Sequence, residues 1–215
     1  MKPFKDAIDS GKMGSIVFGT FEVKWFRTQE YYDNGGWRGT WEMDGGGSLM
    51  NQAVHTVDLM QWMMGDVESI HSHMGIYNHE IKTEDLTASL IKFKSGAVAT
   101  FISTTCAYPG IRTGIKIYGT KGSMEADGDT LELGKFMDAP EDEEKEMLEK
   151  FGGNGSAAAL DPTLCVGHAS IVEDMIAAVR DDREGGAAEA EGRVDSGRRP
   201  VPALRDGRHR DGLRR

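Results

Sequence analysis

Leu86-Thr87-Ala88-Ser89-Leu90-Ile91-Lys92-Phe93-Lys94-Ser95-Gly96-Ala97-Val98-Ala99-Thr100-Phe101-Ile102-Ser103-Thr104-Thr105 decides the fold. Two runs crowded with Thr, Ile, Val and Phe, residue types that suit a pleated surface, flank Lys94-Ser95-Gly96. Three residues suffice for a hairpin, whereas a parallel crossover needs roughly a dozen or more, so these strands are antiparallel. The alternation of strand and tight turn continues downstream. Gly114–Tyr118, Ser123–Ala126 and Thr130–Leu133 are separated by Gly119-Thr120-Lys121-Gly122 and Asp127-Gly128-Asp129. Upstream, Ser15–Trp25 and Val67–Tyr77 read as further strands. Helices bracket them: 3–14, with Gly11 as C-cap; 48–64, closed by Gly65; and 165–182, with Ile171, Met175, Ile176 and Val179 on its apolar face. The Gly- and aromatic-rich 31–47 is a structured loop, and the acidic Glu141–Glu149 a solvated helix or loop. The class is α+β: an open, mainly antiparallel β-sheet with the 48–64 and 165–182 helices packed on one face.

Composition narrows the function classes. The 215 residues are 39% hydrophobic and 28% charged, as in an ordinary globular chain. A net charge of −10 argues against nucleic acid, which is bound by clustered Lys and Arg. No run approaches the roughly 20 apolar residues that span a bilayer, so no membrane partner is expected. Met1-Lys2-Pro3-Phe4-Lys5-Asp6 opens no secretory signal, and Cys106 and Cys165 form no CxxC pair. A reducing, cytoplasmic setting is expected.

The densest pattern lies after the first strand: Gly35-Gly36-Trp37-Arg38-Gly39-Thr40-Trp41, then Asp44-Gly45-Gly46-Gly47-Ser48-Leu49-Met50-Asn51-Gln52-Ala53-Val54-His55-Thr56-Val57-Asp58-Leu59. On one helix, Ala53, Val57, Met60 and Met64 share a face. Asn51, His55, Asp58 and Trp62 share another, about 200° away. One stripe packs on the sheet and the other faces a cleft. His55 then sits one turn into the helix beside the Asn51 amide, the glycines let backbone approach a ligand, and the helix N-terminus offers free N–H donors. The bland reading makes His55 a packing residue satisfied by Asn51. Trp37 and Arg38 likewise read as pocket residues or as a stacked pair that stabilises the loop.

Taken in order, GGWRGTW…DGGGSLMNQAVHTVDLMQWMMG resembles the C-terminal domain of the glucose–fructose oxidoreductase / inositol dehydrogenase (Gfo/Idh/MocA) family. The likeness runs from about residue 12 to 182 and includes Phe93-Lys94-Ser95-Gly96-Ala97, Ile117-Tyr118-Gly119-Thr120-Lys121-Gly122, Gly167-His168 and Val172-Glu173-Asp174-Met175-Ile176. It implies a Rossmann domain binding NAD or NADP, an α+β domain after it, and a sugar or polyol substrate between the two. His55 would handle the proton of the oxidised hydroxyl. Asn51 stands where the family commonly has an acid, so it serves as a hydrogen-bonding rather than a charged partner. Trp37, Arg38 and Asp58 join Asn51 as substrate-binding or supporting residues. Sheet faces that pair between subunits are implied too, giving a homodimer or higher homo-oligomer.

No G-x-G-x-x-G follows a strand, and no Glu-Lys-Pro, the family's lysine motif, occurs. There is accordingly no Rossmann domain in this chain, and a hydride cannot move without a bound cofactor. The expectation is the C-terminal substrate-binding domain of an NAD(P)-dependent oxidoreductase acting on a sugar or polyol CH–OH group, inactive alone and missing its Rossmann domain. The alternative is a non-catalytic sugar-binding or dimerisation module. His71 and His73, on one side of a strand, would make a zinc set with His79 or Glu80. A polar outward-facing pair is favoured, so no metal is expected. Three divisions follow: a remnant helix or linker over 1–14, the substrate and oligomerisation domain over 15–182, and a tail over 183–215. Eight of the thirteen arginines fall in 185–215, with no aromatic residue, so disorder is expected there. Codons for 197–212 read one nucleotide later permit a helical apolar pattern, which suggests a frameshift after about Glu184 and a truncated N-terminus.

Overall fold

A computed structural model describes residues 1–152. The expected 165–182 helix and the 183–215 tail lie outside the described residues. Pro3 in the first turn suits a helix start, and α1 runs Lys2–Asp9 with Phe4 and Ala7 buried. Gly11 and Gly14, at φ of 75° and 68°, turn the chain into β1, Ile16–Lys24. A long excursion follows: α2 Gln29–Asp33, a loop, α3 Ser48–Asn51 and α4 Val54–Met64. The meander β2 Val67–Gly75, β3 Leu86–Phe93, β4 Val98–Thr104, β5 Arg112–Gly119, β6 Gly122–Asp127 and β7 Thr130–Phe136 comes next, then α5, Glu141–Phe151. The region expected to be loop over 31–47 thus begins inside a short helix, and the acidic stretch is helical.

The strands form one open sheet in the order β2-β3-β4-β1-β5-β6-β7. Its pairings are antiparallel except β1 with β4, where Phe21 lies opposite Phe101 and Val23 opposite Ser103 in parallel. Short-turn logic governs strands that are neighbours in sequence. β1 and β4 are joined by everything between them, ample for a crossover.

The inner sheet face carries Phe21, Val23, Ile91, Phe93, Ala99, Phe101, Ile115, Ile117, Met124 and Ala126. Phe4, Met13, Met60, Met63 and Met64 close over it, and Met147 and Leu148 of α5 pack against the same cluster. Each large side chain buried this way contributes roughly 1.5–3 kcal/mol. Among the described residues no element covers the other face. Phe18, Leu90 and Val98 are exposed there, and Phe18 stacks on Tyr118 with ring centroids 4.5 Å apart.

The single helix expected over 48–64 is two. The N–H groups of Gln52 and Ala53 both donate to Ser48 O at 3.1 Å, and Val57 N restarts the ladder on Ala53 O at 2.9 Å. The break has a packing cause. Ser48 is fully buried, donating to Ser103 O and accepting from Ser103 Oγ, which anchors α3 to β4. Met60 and Met64 anchor α4 near β1, and the step at Ala53 reconciles the two anchors. The face assignment survives the step: Ala53, Met60 and Met64 are buried and Val57 half-buried, while Asn51, His55, Asp58 and Trp62 are exposed.

Candidate functional site

Residues 76–85 join β2 to β3 as a strap that ends in buried Thr83-Glu84-Asp85. Two adjacent buried carboxylates are costly unless each is paired or hydrogen-bonded. Glu84 Oε2 accepts from Gly47 N at 2.9 Å, Oε1 from Leu49 N at 3.0 Å, and its carbonyl from Ser48 N at 2.9 Å. These are the first donors of α3, which have no partner within the helix and favour negative charge. The expectation of free N–H donors for a ligand is therefore corrected: Glu84 takes them. The glycine run is corrected with it. A Cβ on Gly47 would sit 1.7 Å from Glu84 O, so the close approach that needs glycine is made by the chain's own strap.

Asp85 turns the other way. Oδ1 accepts from Tyr77 N at 2.8 Å; Oδ2 accepts from Asn78 N, His79 N and the His79 ring Nδ1 at 2.9, 3.1 and 2.9 Å. His79 Nε2 lies 2.9 Å from Arg27 O, and neither side chain reaches solvent. Burial pushes the Asp85 carboxyl up, but the backbone donors of Asn78 and Tyr77, with His79 and Cys106, outweigh it and hold the group below its ordinary 3.8. Burial, abetted by Asp85 and opposed by Thr104, pushes the Cys106 thiol up to about 11, so it stays protonated at neutral pH.

His71 and His73 are exposed on β2, as the favoured polar-pair reading had them. His79 is committed to Asp85 and Arg27 O, while His73 Nε2 is 2.8 Å from the Tyr77 hydroxyl on the exposed strand. His79, Asp85 and Cys106 do converge, but three N–H groups already occupy Asp85 Oδ2.

Ahead of the glycines, rings and guanidiniums alternate. The Arg27 Cζ lies 5.2 Å from the Trp25 ring and 5.1 Å from Tyr31; the Arg38 Cζ lies 4.6 Å from both Tyr31 and Trp37. Each contact stabilises by about 0.5–2 kcal/mol, more where water is excluded. Trp41 Nε1 donates to Lys82 O at 2.9 Å and Lys82 N to Gly39 O at 2.8 Å, tying this loop to the strap. Trp37 and Arg38 are thus a stacked pair, as one of the two sequence readings had it, and Arg27 and Tyr31 extend the stack.

Asn51 Nδ2 donates to Gly46 O at 2.9 Å and to Gly47 O at 3.3 Å, rather than to His55. Asn51 ends α3 and His55 lies in the first turn of α4, across the step. Both, with Asp58, face away from the core. Sequence reasoning missed Glu84 and Asp85; their only signal is a pair of acids immediately before a strand.

An open, mostly antiparallel sheet with helices packed on one face defines an α+β domain. Residues 1–125 match the model of the GFO/IDH/MocA C-terminal domain. The chain belongs to that family. It is similar to the WlbA dehydrogenase of Bordetella pertussis, solved with NADH and UDP-GlcNAcA: 32% identity over 86% of this chain and 51% of that one, TM-score 0.69. For the WlbA dehydrogenase of Chromobacterium violaceum, solved with the same two ligands, the values are 30%, 85%, 57% and 0.65. A levoglucosan dehydrogenase solved with NADH and levoglucosan shares the fold at 21% identity, covering 65% of this chain and 41% of that one, TM-score 0.58. The chain spans about half the length of the WlbA relatives. Comparison with curated proteins gives no match. Among the described residues no helix is long and apolar enough to cross a membrane. The α3 N–H groups are not free for a pyrophosphate, because they donate to Glu84.

Proposed function

We propose that this chain is the substrate-side part of an NAD(P)-dependent oxidoreductase that oxidises a CH–OH group of a sugar or polyol, and that it is inactive alone. The observation that carries the reading is the exposed helix face bearing Asn51, His55 and Asp58, in a member of this family. His55 takes the proton of the hydroxyl as its carbon is oxidised. Asn51, whose amide N–H is spent on the glycine loop, offers Oδ1 to a sugar hydroxyl. Trp37, Arg38 and Asp58 border the substrate. The WlbA relatives, solved with NADH and a nucleotide sugar, support this assignment. NAD or NADP is the cofactor of the whole enzyme, and this chain alone is expected to bind none.

The test is to supply a family dinucleotide-binding domain and assay sugars and polyols with NAD and NADP. His55→Ala is expected to lower kcat by about 10²–10⁴-fold, the usual contribution of general acid–base catalysis. His55 is exposed, so the variant keeps the parent's thermal midpoint. Full turnover by the His55→Ala enzyme refutes the assignment.

The open sheet face supports a homodimer or higher homo-oligomer. Phe18, Leu90 and Val98 form an apolar strip that a second sheet would cover, with the same patch used on both subunits. Light scattering is expected to report a dimer or larger species, and Leu90→Glu to shift it to monomer. A wild-type monomer at micromolar concentration refutes the assembly.

A further inference from the structure

We infer that Glu84 is a positioning residue for the substrate contact at Asn51. Through two peptide groups it fixes the Asn51 amide with Oδ1 outward, so that the substrate must present a hydrogen-bond donor, a hydroxyl, at that point. The inference rests on the function proposed above and extends it to a residue of the strap that touches no substrate.

The first ground is connectivity. Asn51 Nδ2 donates to Gly46 O at 2.9 Å and to Gly47 O at 3.3 Å. Each of those carbonyls belongs to a peptide group whose N–H donates to Glu84. Gly47 N, in the peptide of Gly46 O, reaches Glu84 Oε2 at 2.9 Å. Ser48 N, in the peptide of Gly47 O, reaches Glu84 O at 2.9 Å. A peptide group is planar, so holding its N–H aims its C=O. Two hydrogen-bonded chains thus run from Glu84 to the Asn51 amide. One of them ends on a carboxylate, whose charge strengthens the bonds in series with it.

The second ground is which end of the amide is held. Both groups facing it are carbonyl oxygens, which only accept, so the NH2 is the inner end and Oδ1 the outer. Asn51 is exposed, on the face it shares with His55 and Asp58. An outward Oδ1 accepts from a hydroxyl and offers nothing to a carbonyl or an anion. A carboxylate at 51 would have no N–H to give and would face two carbonyls, so the amide is the form this arrangement requires.

The third ground is packing. Gly46 and Gly47 are both buried. A Cβ on Gly46 would lie 2.7 Å from Met50 Cβ, and one on Gly47 1.7 Å from Glu84 O, so α3 and the strap enclose the two peptides. The helix α3 has only four residues and no side-chain cap of its own. Glu84 supplies the cap from a distance, and through it holds Asn51, the one exposed polar side chain that α3 carries. An amide fixed before the substrate arrives loses little entropy on binding.

The experiment is NMR of the full chain, read at the Asn51 side-chain NH2. In the wild type these protons are expected to exchange with water about tenfold more slowly than those of Asn78, the factor that one ordinary hydrogen bond supplies. Asn78 is exposed and, among the described residues, bonded only through its backbone. Glu84→Gln is expected to remove the difference in folded molecules. If Glu84 serves stability alone, Glu84→Gln lowers the urea midpoint and leaves the Asn51 signals of the folded fraction in place, which overturns the inference. Asn51→Ala lies at an exposed position and decides even where Glu84→Gln fails to fold. Exchange at the Gly47 and Ser48 N–H groups, whose peptides lose a donor, is expected to quicken severalfold relative to Leu49 N–H. Leu49 N–H also meets Glu84, but its peptide carbonyl takes nothing from Asn51. An equal response at all three, or none, overturns the inference. With the dinucleotide-binding domain supplied, Glu84→Gln is expected to raise KM about tenfold for the sugar or polyol oxidised, with kcat little changed. An unchanged KM overturns the positioning role. A wild type that oxidises none of them counts against the oxidoreductase, and the NMR still decides whether Glu84 holds Asn51.

Discussion

Gly47→Ala is expected to cost about 3 kcal/mol or more in a urea titration, enough to leave a marginal domain largely unfolded. Conformation is not the reason, since φ at Gly47 is −106°, outside the left-handed region. Space is. The added Cβ would lie 1.7 Å from Glu84 O and 2.7 Å from both the carbonyl carbon and Oε2 of that residue, whereas real Cβ contacts stay above 3.0 Å. Neither side can retreat. Asp85 ties the strap to the 77–79 turn, and buried Ser48 is bonded to Ser103. The substitution must break the three hydrogen bonds that Gly47, Ser48 and Leu49 give to Glu84, two of them to a charged acceptor worth about 1.5–3 kcal/mol each. Gly45→Ala is the control. Gly45 has φ +74° but nothing within 4 Å, so it costs only the roughly 1–2 kcal/mol of left-handed backbone. If the two variants fall within about 1 kcal/mol of each other, the close-approach argument fails.

The same pair of residues shows where sequence stops informing. Strands and turns were legible because period-two alternation and a turn such as Lys94-Ser95-Gly96 are local properties. The parallel pairing of β1 with β4 was not, because nothing within either run names its distant neighbour. The stripe of Ala53, Val57, Met60 and Met64 does face the core, with Val57 only half-buried, yet a straight helix and a stepped one satisfy it equally. Adjacent acids before a strand look solvated until their partners are known. Successive side chains in extended chain point opposite ways. Glu84 therefore meets residues 47–49 and Asp85 meets residues 77–79, two segments that folding alone brings to the strap. Trp37-Arg38 could be read as a stack from adjacency. Its extension through Tyr31 to Arg27 needed the chain reversal around α2.

Asp85→Ala is expected to be as damaging, by about 3–5 kcal/mol, because it strands buried donors rather than merely removing a contact. The N–H groups of Tyr77, Asn78 and His79 and the His79 ring would all lose their acceptor in a site closed to water. Asp85→Asn isolates the charge. Its folded carboxyl is held below 3.8 by those donors, despite burial, while the unfolded group titrates near about 3.9. The folded state therefore binds fewer protons there than the unfolded state. The stability this supplies is present above the unfolded value and is lost as pH falls through the folded one. Glu125 adds to the acid limb in the same sense, held low first by Lys116 and then by Tyr118, so the informative quantity is the difference between proteins. Urea midpoints measured from neutral pH downward are expected to show Asp85→Asn less stable at neutrality. The gap to wild type should narrow below about pH 4 as the wild-type carboxylate takes up its proton. A gap that stays constant through the acid range would mean that the Asp85 charge contributes nothing, and that the strap is held by shape alone.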